Sequence, residues 1–202
     1  MAHAKEEKTL VLIKPDGVQR SLVGEIISRY ERLGLKLLGV KFVVPTPDLV
    51  EKHYTLDPTW RQRNGEKTIK SYKEKGLKPP FEDPLEMSSW TLERLKKYLS
   101  SGPVIAMVWQ GANAVAVIRK VTGSTEPLSS DVGTIRGDFM LDSYQMADDD
   151  NRAVRNLTHI SGSVQEAEDE IKLWFSDKEL VRYNIVQEKI LYEQNLDSIF
   201  EK

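Results

Sequence analysis

A stretch near the end of the chain, residues 155–171, reads RNLTHISGSVQEAEDEI and holds one of only three histidines. His159 is followed two residues later by Ser161, and the serine and glutamate at 163–166 have the spacing of a helix capping box. The capping box predicts a helix that begins at Val164. The free N–H groups at a helix N-terminus favour an anion, usually phosphate. This spacing therefore indicates phosphate chemistry beside His159.

Glu170 can support that chemistry from the predicted helix. At about 100° per residue, Glu170 falls about 40° beyond Trp174, at the rim of the apolar helix face. A carboxylate there can bind one nitrogen of His159 and fix its tautomer, which frees the other nitrogen to attack a phosphorus atom. The alternative is that His159 only caps or packs, which is the commoner use of a lone histidine before a helix.

The composition restricts the class of protein. The chain has 202 residues, of which 40% are apolar and 30% are charged, a profile typical of one soluble globular domain. A net charge of −2 gives no general attraction to nucleic acid or to anionic membranes, so we expect neither as a partner. The sequence has no cysteine, no signal-like N-terminus and no apolar run that could span a bilayer. We expect a cytoplasmic protein.

Hydrophobic periodicity and turn residues predict the elements that must position these residues. Strands are expected at 9–14, 35–45 and 103–111. Helices are expected at 21–33, 46–54, 88–102, 112–124 and 163–176, with Ser21 and Thr46 as caps of the first two. This order favours an α/β or α+β protein whose helices cover a sheet, and it leaves the strand order open.

Three segments lack a clear period. Residues 55–89 are rich in proline, glycine and charge, and they predict a lobe with one short helix near 66–75. Residues 134–141 predict an extended or turn segment, and 142–156 an irregular loop. An ordered tail is expected at 183–194. Asp148–Asp150 favours a solvated loop over a metal site, because EF-hand spacing is missing.

Four blocks of the sequence occur in the order found in one enzyme family. They are VLIKPDGVQR (11–20), SGPVIAMVWQG (101–111), STEPLSSDVGTIRGDF (124–139) and RNLTHISGSVQEAEDEIKLWF (155–175). Together they resemble nucleoside diphosphate kinase over about 9–54 and 95–192. The resemblance implies a single α/β (α+β) domain over 1–202, a ferredoxin-like sandwich whose antiparallel sheet is covered by helices. It also implies an inserted lobe at 55–89, an extra loop at 142–152 and a C-terminal extension.

The resemblance further implies the activity and the site. A γ-phosphoryl group would pass from a nucleoside triphosphate, typically ATP, to nucleoside diphosphates by a ping-pong mechanism through a phosphohistidine on His159. By resemblance the catalytic group is His159, Glu170, Ser161 and Tyr54. By resemblance the nucleotide-binding group is Lys14, Arg119, Thr125, Arg136 and Asn156. Mg²⁺ would be held mainly by the phosphates, without a direct protein ligand. A homo-oligomer is implied, and we expect a hexamer rather than a tetramer or dimer.

Several points stay open in the sequence. The aromatic residue that stacks on the base could be Phe81, Trp60 or Trp90. Ile160 stands where glycine or alanine is common in the family, and its β-branch could crowd His159. His53 is expected to be a helix-surface or packing residue, and His3 to belong to a mobile arm. Two other functions remain: a nucleotide-binding or assembly module that transfers no phosphate, and a histidine-phosphorylated carrier that serves a protein partner.

Overall fold

A four-stranded antiparallel sheet organises the computed structural model, which describes residues 4–196. His3 lies outside these residues. The strands are β1 (Glu7–Ile13), β2 (Lys36–Val43), β3 (Val104–Gly111) and β4 (Thr158–Ile160). Their spatial order is β2–β3–β1–β4, and each neighbouring pair is antiparallel. This is the ferredoxin-like α+β arrangement that the resemblance implied.

Helices cover both faces of the sheet and build the walls around it. In chain order they are α1 (Pro15–Gln19), α2 (Val23–Glu31), α3 (Pro47–Tyr54), α4 (Trp60–Glu74), α5 (Pro84–Leu99), α6 (Ala114–Thr122), α7 (Ile135–Phe139), α8 (Tyr144–Asp149), α9 (Val164–Trp174) and α10 (Gln187–Tyr192). Two predicted caps are confirmed, because Thr46 accepts from the N–H of Leu49 and Ser163 from that of Glu166.

The alternation of side chains along β1 divides the core into two layers. Leu10 and Leu12 are fully buried on one face, in a cluster that includes residues of α3 and α9. Val11 and Ile13 are fully buried on the other face, in a cluster that includes residues of α2 and α6. Because it has apolar side chains on both faces, β1 is a central strand of the sheet.

Strand β4 carries His159 and was not predicted from the sequence. It pairs with β1 over three residues, with His159 opposite Leu12 and Ile160 opposite Val11. Three residues are too few for a detectable alternation of apolar and polar side chains. Ile160 packs into the core, and a β-branched side chain suits a strand.

Segment 55–89 is more helical than predicted. Helix α4 runs for 15 residues from Trp60, and α5 begins at Pro84 rather than at 88. The side chain of Asp83 caps α5 by accepting from two backbone N–H groups. The pair Asn64-Gly65 looks like a turn in the sequence, but a Cβ atom at Gly65 would overlap the carbonyl oxygen of Pro84. Glycine is therefore needed for close packing of α4 on α5, and it does not break the helix.

Other local predictions were also wrong. Segments 134–141 and 142–156 contain the short helices α7 and α8, capped by the side chains of Thr134 and Ser143. Ser21 has a φ of +58° and does not cap α2, which begins after Leu22. Helices this short bury too few side chains for periodicity to reveal them.

The C-terminal tail is ordered, as predicted, and packs beside β2. Val181 donates its backbone N–H to the carbonyl of Leu38 at 2.8 Å. The Lys36 ammonium and the Glu188 carboxylate on α10 form an ion pair of 2.6 Å. Among residues 4–196, no helix has the length and apolar character needed to cross a membrane.

Candidate active site

The imidazole of His159 is held from behind by a buried carboxylate. Its Nε2 lies 2.6 Å from Oε1 of Glu170 on α9, and Ser161 donates its hydroxyl to Oε2 of the same carboxylate, also at 2.6 Å. Glu170 is only 2% exposed. Because a carboxylate accepts hydrogen bonds, Nε2 carries the ring proton and Nδ1 keeps its lone pair.

Burial and nearby cations keep the His159 ring neutral. Burial lowers the pKa of His159 well below 6.5, and the charges of Lys14, Arg136 and Arg119 lower it further. Burial raises the pKa of Glu170 above its ordinary value. At neutral pH the ring is therefore an uncharged imidazole, the form in which a nitrogen can act as a nucleophile.

Lys14 follows the last residue of β1 and is 5% exposed. Its ammonium donates to Oδ1 of Asn156 at 2.7 Å, and the amide of Asn156 donates to the carbonyl of Thr125 at 2.8 Å. Burial lowers the pKa of Lys14 to about 7; the charge of Arg136 lowers it further and that of Asp16 opposes the change. Near neutral pH the protonation of Lys14 is therefore sensitive to the anions around it.

Arg136 on α7 uses its guanidinium to join backbone segments on both sides of the site. It donates to the carbonyls of Asn156 at 3.0 Å and Thr158 at 2.7 Å. It also donates to the carbonyls of Gly123 at 3.0 Å and Ser124 at 2.9 Å. With 4% exposure, its pKa is lowered to about 10, mainly by burial. Arg136 therefore both places positive charge in the site and holds the strand that carries the histidine.

Arg119 on α6 has a looser position. Its guanidinium makes one long contact of 3.5 Å with the carbonyl of Ser161. Most of its donors therefore remain available for a bound anion. The guanidinium of Arg presents several N–H groups in a plane that matches phosphate oxygens.

A cleft of about 370 Å³ extends outward from the histidine. Seven of the nine residues that the resemblance assigns to catalysis or nucleotide binding line it, namely Lys14, Tyr54, Arg119, Thr125, Arg136, Asn156 and His159. Ser161 and Glu170 lie behind the imidazole. The outer end of the cleft is lined by side chains of α4, α5 and α8. The structure thus brings three of the four sequence blocks to one cavity, whereas the block at 101–111 forms β3 in the sheet.

The three candidate stacking residues occupy different positions. Trp60 and Trp90 line the cleft, whereas Phe81 packs on Trp90 with ring centroids 6.5 Å apart. The Arg94 guanidinium covers the Trp90 ring at 3.9 Å. Trp60 lies 5.8 Å from Tyr54, which lies 6.3 Å from the His159 ring. The rings of Trp60, Tyr54 and His159 therefore contact one another in that order.

His53 lies directly beside the site, which sequence reasoning missed. It is buried, and its ring meets that of His159 at 83° with centroids 4.3 Å apart. Its Nδ1 is 3.6 Å from Oε1 of Glu170 and accepts from the indole of Trp174 at 3.3 Å. The helical spacing of Val50, His53 and Tyr54 on α3 could have indicated a buried position.

His53, His159 and Glu170 have ligand-type atoms within 4.8 Å of one another. The hydrogen bonds from His159 to Glu170 and from Trp174 to His53 occupy atoms that a metal would need. Mg²⁺ prefers several oxygen ligands, which this cluster does not supply. In the acidic run at 148–150, two carboxylates form ion pairs with arginines. Asp148 pairs with Arg94, and Asp150 pairs with Arg152.

A neutral histidine with one free nitrogen, in a cleft lined by lysine and arginine on a ferredoxin-like sheet, has the chemistry that a phosphotransferase needs. A family model described as nucleoside diphosphate kinase matches residues 7–62 and 63–180, which is most of the chain. The chain belongs to the nucleoside diphosphate kinase family.

Relatives from distant organisms are similar over most of their lengths. The nucleoside diphosphate kinase of Pyrobaculum aerophilum is 44% identical over 179 residues, covering 87% of this chain and 98% of that protein. Nucleoside diphosphate kinase A of Mus musculus is 40% identical over 190 residues, covering 94% and 99%.

Solved structures agree with the sequence relatives. The crystal structure of the P. aerophilum enzyme has a TM-score of 0.84 at 42% identity and covers 88% of this chain and 100% of that one. An enzyme from Borrelia burgdorferi, described as a transition-state mimic with vanadate and ADP, has a TM-score of 0.77 at 31% identity and covers 93% and 98%. The similarity supports both the fold and the enzyme class.

Proposed function

We propose that the chain exchanges phosphoryl groups between nucleotides by a ping-pong reaction on Nδ1 of His159. The lone pair of Nδ1 attacks the γ-phosphorus of a nucleoside triphosphate, an N–P bond forms, and the diphosphate leaves with the electrons of the broken O–P bond. A second diphosphate then attacks that phosphorus, and the electrons of the N–P bond return to Nδ1. The observation that carries the proposal is the 2.6 Å contact of Nε2 with Glu170, which leaves Nδ1 free.

The other residues act by position and charge. Glu170 and Ser161 fix the imidazole, while Lys14, Arg119 and Arg136 neutralise the transferred phosphoryl group, which carries most of the charge in the transition state. Asn156 and Thr125 hold the ribose and phosphate end, and Tyr54 lies beside the transferring group. The cationic cleft supports these roles.

The resemblance also implies Mg²⁺, and the donor set fits a metal held by phosphate oxygens. The carboxylate nearest the histidine, Glu170, is occupied by His159 and Ser161. Mg²⁺ when bound would neutralise part of the negative charge of the phosphates. Protein cations already present would share that task.

Incubation of the purified protein with γ-labelled ATP tests the proposal. We expect an acid-labile, alkali-stable label that leaves upon addition of any nucleoside diphosphate and does not form in His159→Ala. A labelled His159→Ala protein would overturn the assignment. Label that small diphosphates do not discharge would favour the carrier function, and nucleotide binding without label would favour the binding module.

We also propose that the protein is a homo-oligomer, most simply a hexamer. Edge strand β2 and the residue after it expose an alternating apolar row, with Val40 at 55%, Phe42 at 65% and Val44 at 64% exposure. The tail bonds to β2 at Leu37 and Leu38 and leaves these three side chains exposed. Exposed apolar edge strands favour pairing with another chain. Light scattering should give the mass of six copies, and Phe42→Glu should lower it; a mass of four or two copies would select the alternatives.

We make three further proposals about the insertions, the stacking residue and the location of the protein. Segments 55–89 and 142–152 are insertions on a single kinase domain that spans 1–202. Trp60 is the aromatic residue that stacks on the base, because Arg94 covers a face of Trp90 and Phe81 lies outside the cleft lining. The expected cytoplasmic location would be checked by cell fractionation.

A further inference from the structure

The outer half of the cleft is built by two stretches of chain that are far apart in sequence. Helix α4 presents Trp60, Asn64, Thr68 and Tyr72 to the cleft, four residues apart and therefore on one helix face. Helix α8 presents Tyr144 and Asp148 from the opposite segment. The cleft is therefore longer than a phosphate site alone would require.

The chemistry of this outer half differs from that of the inner half. Near His159 the lining is cationic, with Lys14, Arg119 and Arg136. Further out, aromatic, hydroxyl and amide groups are the most numerous, and the charged side chains there are Lys67, Lys75, Arg94, Asp148 and Arg152. Asp148 forms an ion pair with Arg94, and Arg152 pairs with Asp142 and Asp150. Aromatic surfaces and neutral hydrogen-bonding groups suit a nucleobase and ribose rather than a phosphate chain.

Arg94 lies on α5, the helix on which α4 packs, and joins that helix to α8. Its guanidinium donates to Oδ1 of Asp148 at 3.1 Å and to the carbonyl of Ala147 at 2.7 Å, both on α8. The same guanidinium stacks on Trp90 at 3.9 Å. The ion pair is partly shielded, with side-chain exposures of 12% for Arg94 and 27% for Asp148. Shielded charge-assisted bonds of this kind are stronger than those on an open surface.

Other contacts strengthen the junction between the stretches. The ammonium of Lys75, directly after α4, lies over the ring of Tyr144 at 5.8 Å. Burial, aided by the carboxylate of Asp148, raises the pKa of the Tyr72 phenol on α4 to about 12. Helices α4 and α5 pack closely through Gly65. Segments 55–89 and 142–152 therefore form one continuous wall, which we call the outer wall.

We infer that the outer wall encloses the nucleoside end of the bound nucleotide, and that the Arg94–Asp148 pair is a positioning element that holds this wall in place. The inference rests on the proposed function for its ligand. The contacts of Arg94 are with α8 and with Trp90, away from the imidazole of His159, so its effect should fall on nucleotide affinity and not on the phosphoryl-transfer step.

Calorimetric binding of ADP and of inorganic tripolyphosphate tests this without requiring turnover. Arg94→Ala and Asp148→Asn should each weaken ADP binding about tenfold, raise the KM for ADP in parallel and leave kcat and tripolyphosphate binding within about twofold. The double variant should be no weaker than the singles, because both remove the same interaction. Lys73→Ala, which breaks the exposed Lys73–Glu82 pair outside the cleft, is the matched control and should change nothing.

The opposite charges of the two residues separate a positioning role from simple electrostatics. If only charge matters, loss of Arg94 weakens and loss of Asp148 strengthens the binding of both ligands, which would overturn the inference. Unchanged ADP binding in both variants, or equal weakening for both ligands, would also overturn it. Asp148→Asn is isosteric, so it can still test the inference if Arg94→Ala fails to fold. Loss of γ-phosphate labelling with intact ADP binding would instead count against the proposed function alone.

Discussion

The indole N–H of Trp174 donates to Nδ1 of His53 at 3.3 Å, which fixes the ring proton of His53 on Nε2. His53 therefore cannot donate from Nδ1 to Glu170, although the two atoms are only 3.6 Å apart. Glu170 remains committed to His159 and Ser161. His53, a buried neighbour in a fixed tautomer, thus does not compete with His159 for the carboxylate of Glu170.

This neighbour predicts a pH dependence of stability. Burial, aided by the charge of Lys14 and opposed by that of Glu170, lowers the pKa of His53 from 6.5 to about 3. Between these values the unfolded chain binds a proton that the folded chain does not, so the free energy of unfolding decreases as the pH falls. The slope is about 1.4 kcal/mol per pH unit for each such histidine.

Urea denaturation of the wild type and of His53→Phe from pH 6.5 to 4 checks this prediction. The variant should lose stability with a slope shallower by about 1.4 kcal/mol per pH unit. The other titrating groups are common to both proteins and cancel in the difference. Parallel curves would show that His53 is already protonated in the folded protein.

Removal of the carboxylate behind His159 should slow phosphoryl transfer. In Glu170→Ala the ring loses the acceptor that fixes its tautomer, so we expect the rate of histidine phosphorylation to fall by about 10²-fold. Glu170→Gln keeps an acceptor oxygen and should lose less. Glu168→Gln on the exposed side of α9 is the control. Rapid-quench labelling measures all three, and an unaffected Glu170→Ala rate would contradict the role.

Substitution of Arg136 by lysine should affect folding as well as activity. Arg136 donates to the carbonyls of four residues, and a lysine ammonium lacks the planar fork that reaches them all. Each buried carbonyl left unpaired costs about 1 to 3 kcal/mol. Thermal denaturation should show a loss of at least about 2 kcal/mol. A variant of normal stability and reduced activity would limit Arg136 to phosphate binding.

Gly65 allows a direct test of the packing of α4 on α5. Gly65→Ala places a methyl group against the backbone of Pro84, and we expect a loss of about 1 to 3 kcal/mol from overpacking. Gly24→Ala in α2 meets no atom within 4 Å and should be neutral or stabilising by about 0.5 to 1 kcal/mol. Denaturation midpoints compare the two variants. Equal effects would mean that α4 and α5 can separate at no cost.

The lowered pKa of Lys14 predicts proton uptake when a nucleotide binds. With a pKa of about 7, Lys14 is largely uncharged at pH 8, and a bound triphosphate favours the charged form. Affinity should therefore fall as the pH rises above 7. Calorimetry at pH 8 in two buffers of different ionisation heat should detect uptake of up to one proton. Lys14→Arg, which stays charged, should show none.

Local signals in the sequence were sufficient for several elements. The capping box predicted the start of α9 at Val164, and Thr46 with Pro47 predicted the start of α3, because a cap satisfies backbone groups only a few residues away. The four motif blocks indicated the family, and the ferredoxin-like strand order came from that resemblance alone. The hydrophobic periodicity gave no information about the strand order.

The sequence by itself determined the family, through its four motif blocks, and it predicted His159 and Glu170 as partners from their spacing on a capped helix. The roles of Lys14, Arg119 and Arg136 came from the resemblance and remain predictions. Only the tertiary structure decided that Glu170 binds Nε2 rather than Nδ1, that His53 lies against His159, and that Gly65 joins two helices instead of ending one. It also decided that Arg94 links segments more than 50 positions apart. These facts depend on contacts between residues distant in the chain, and a local pattern of residue types does not encode such contacts.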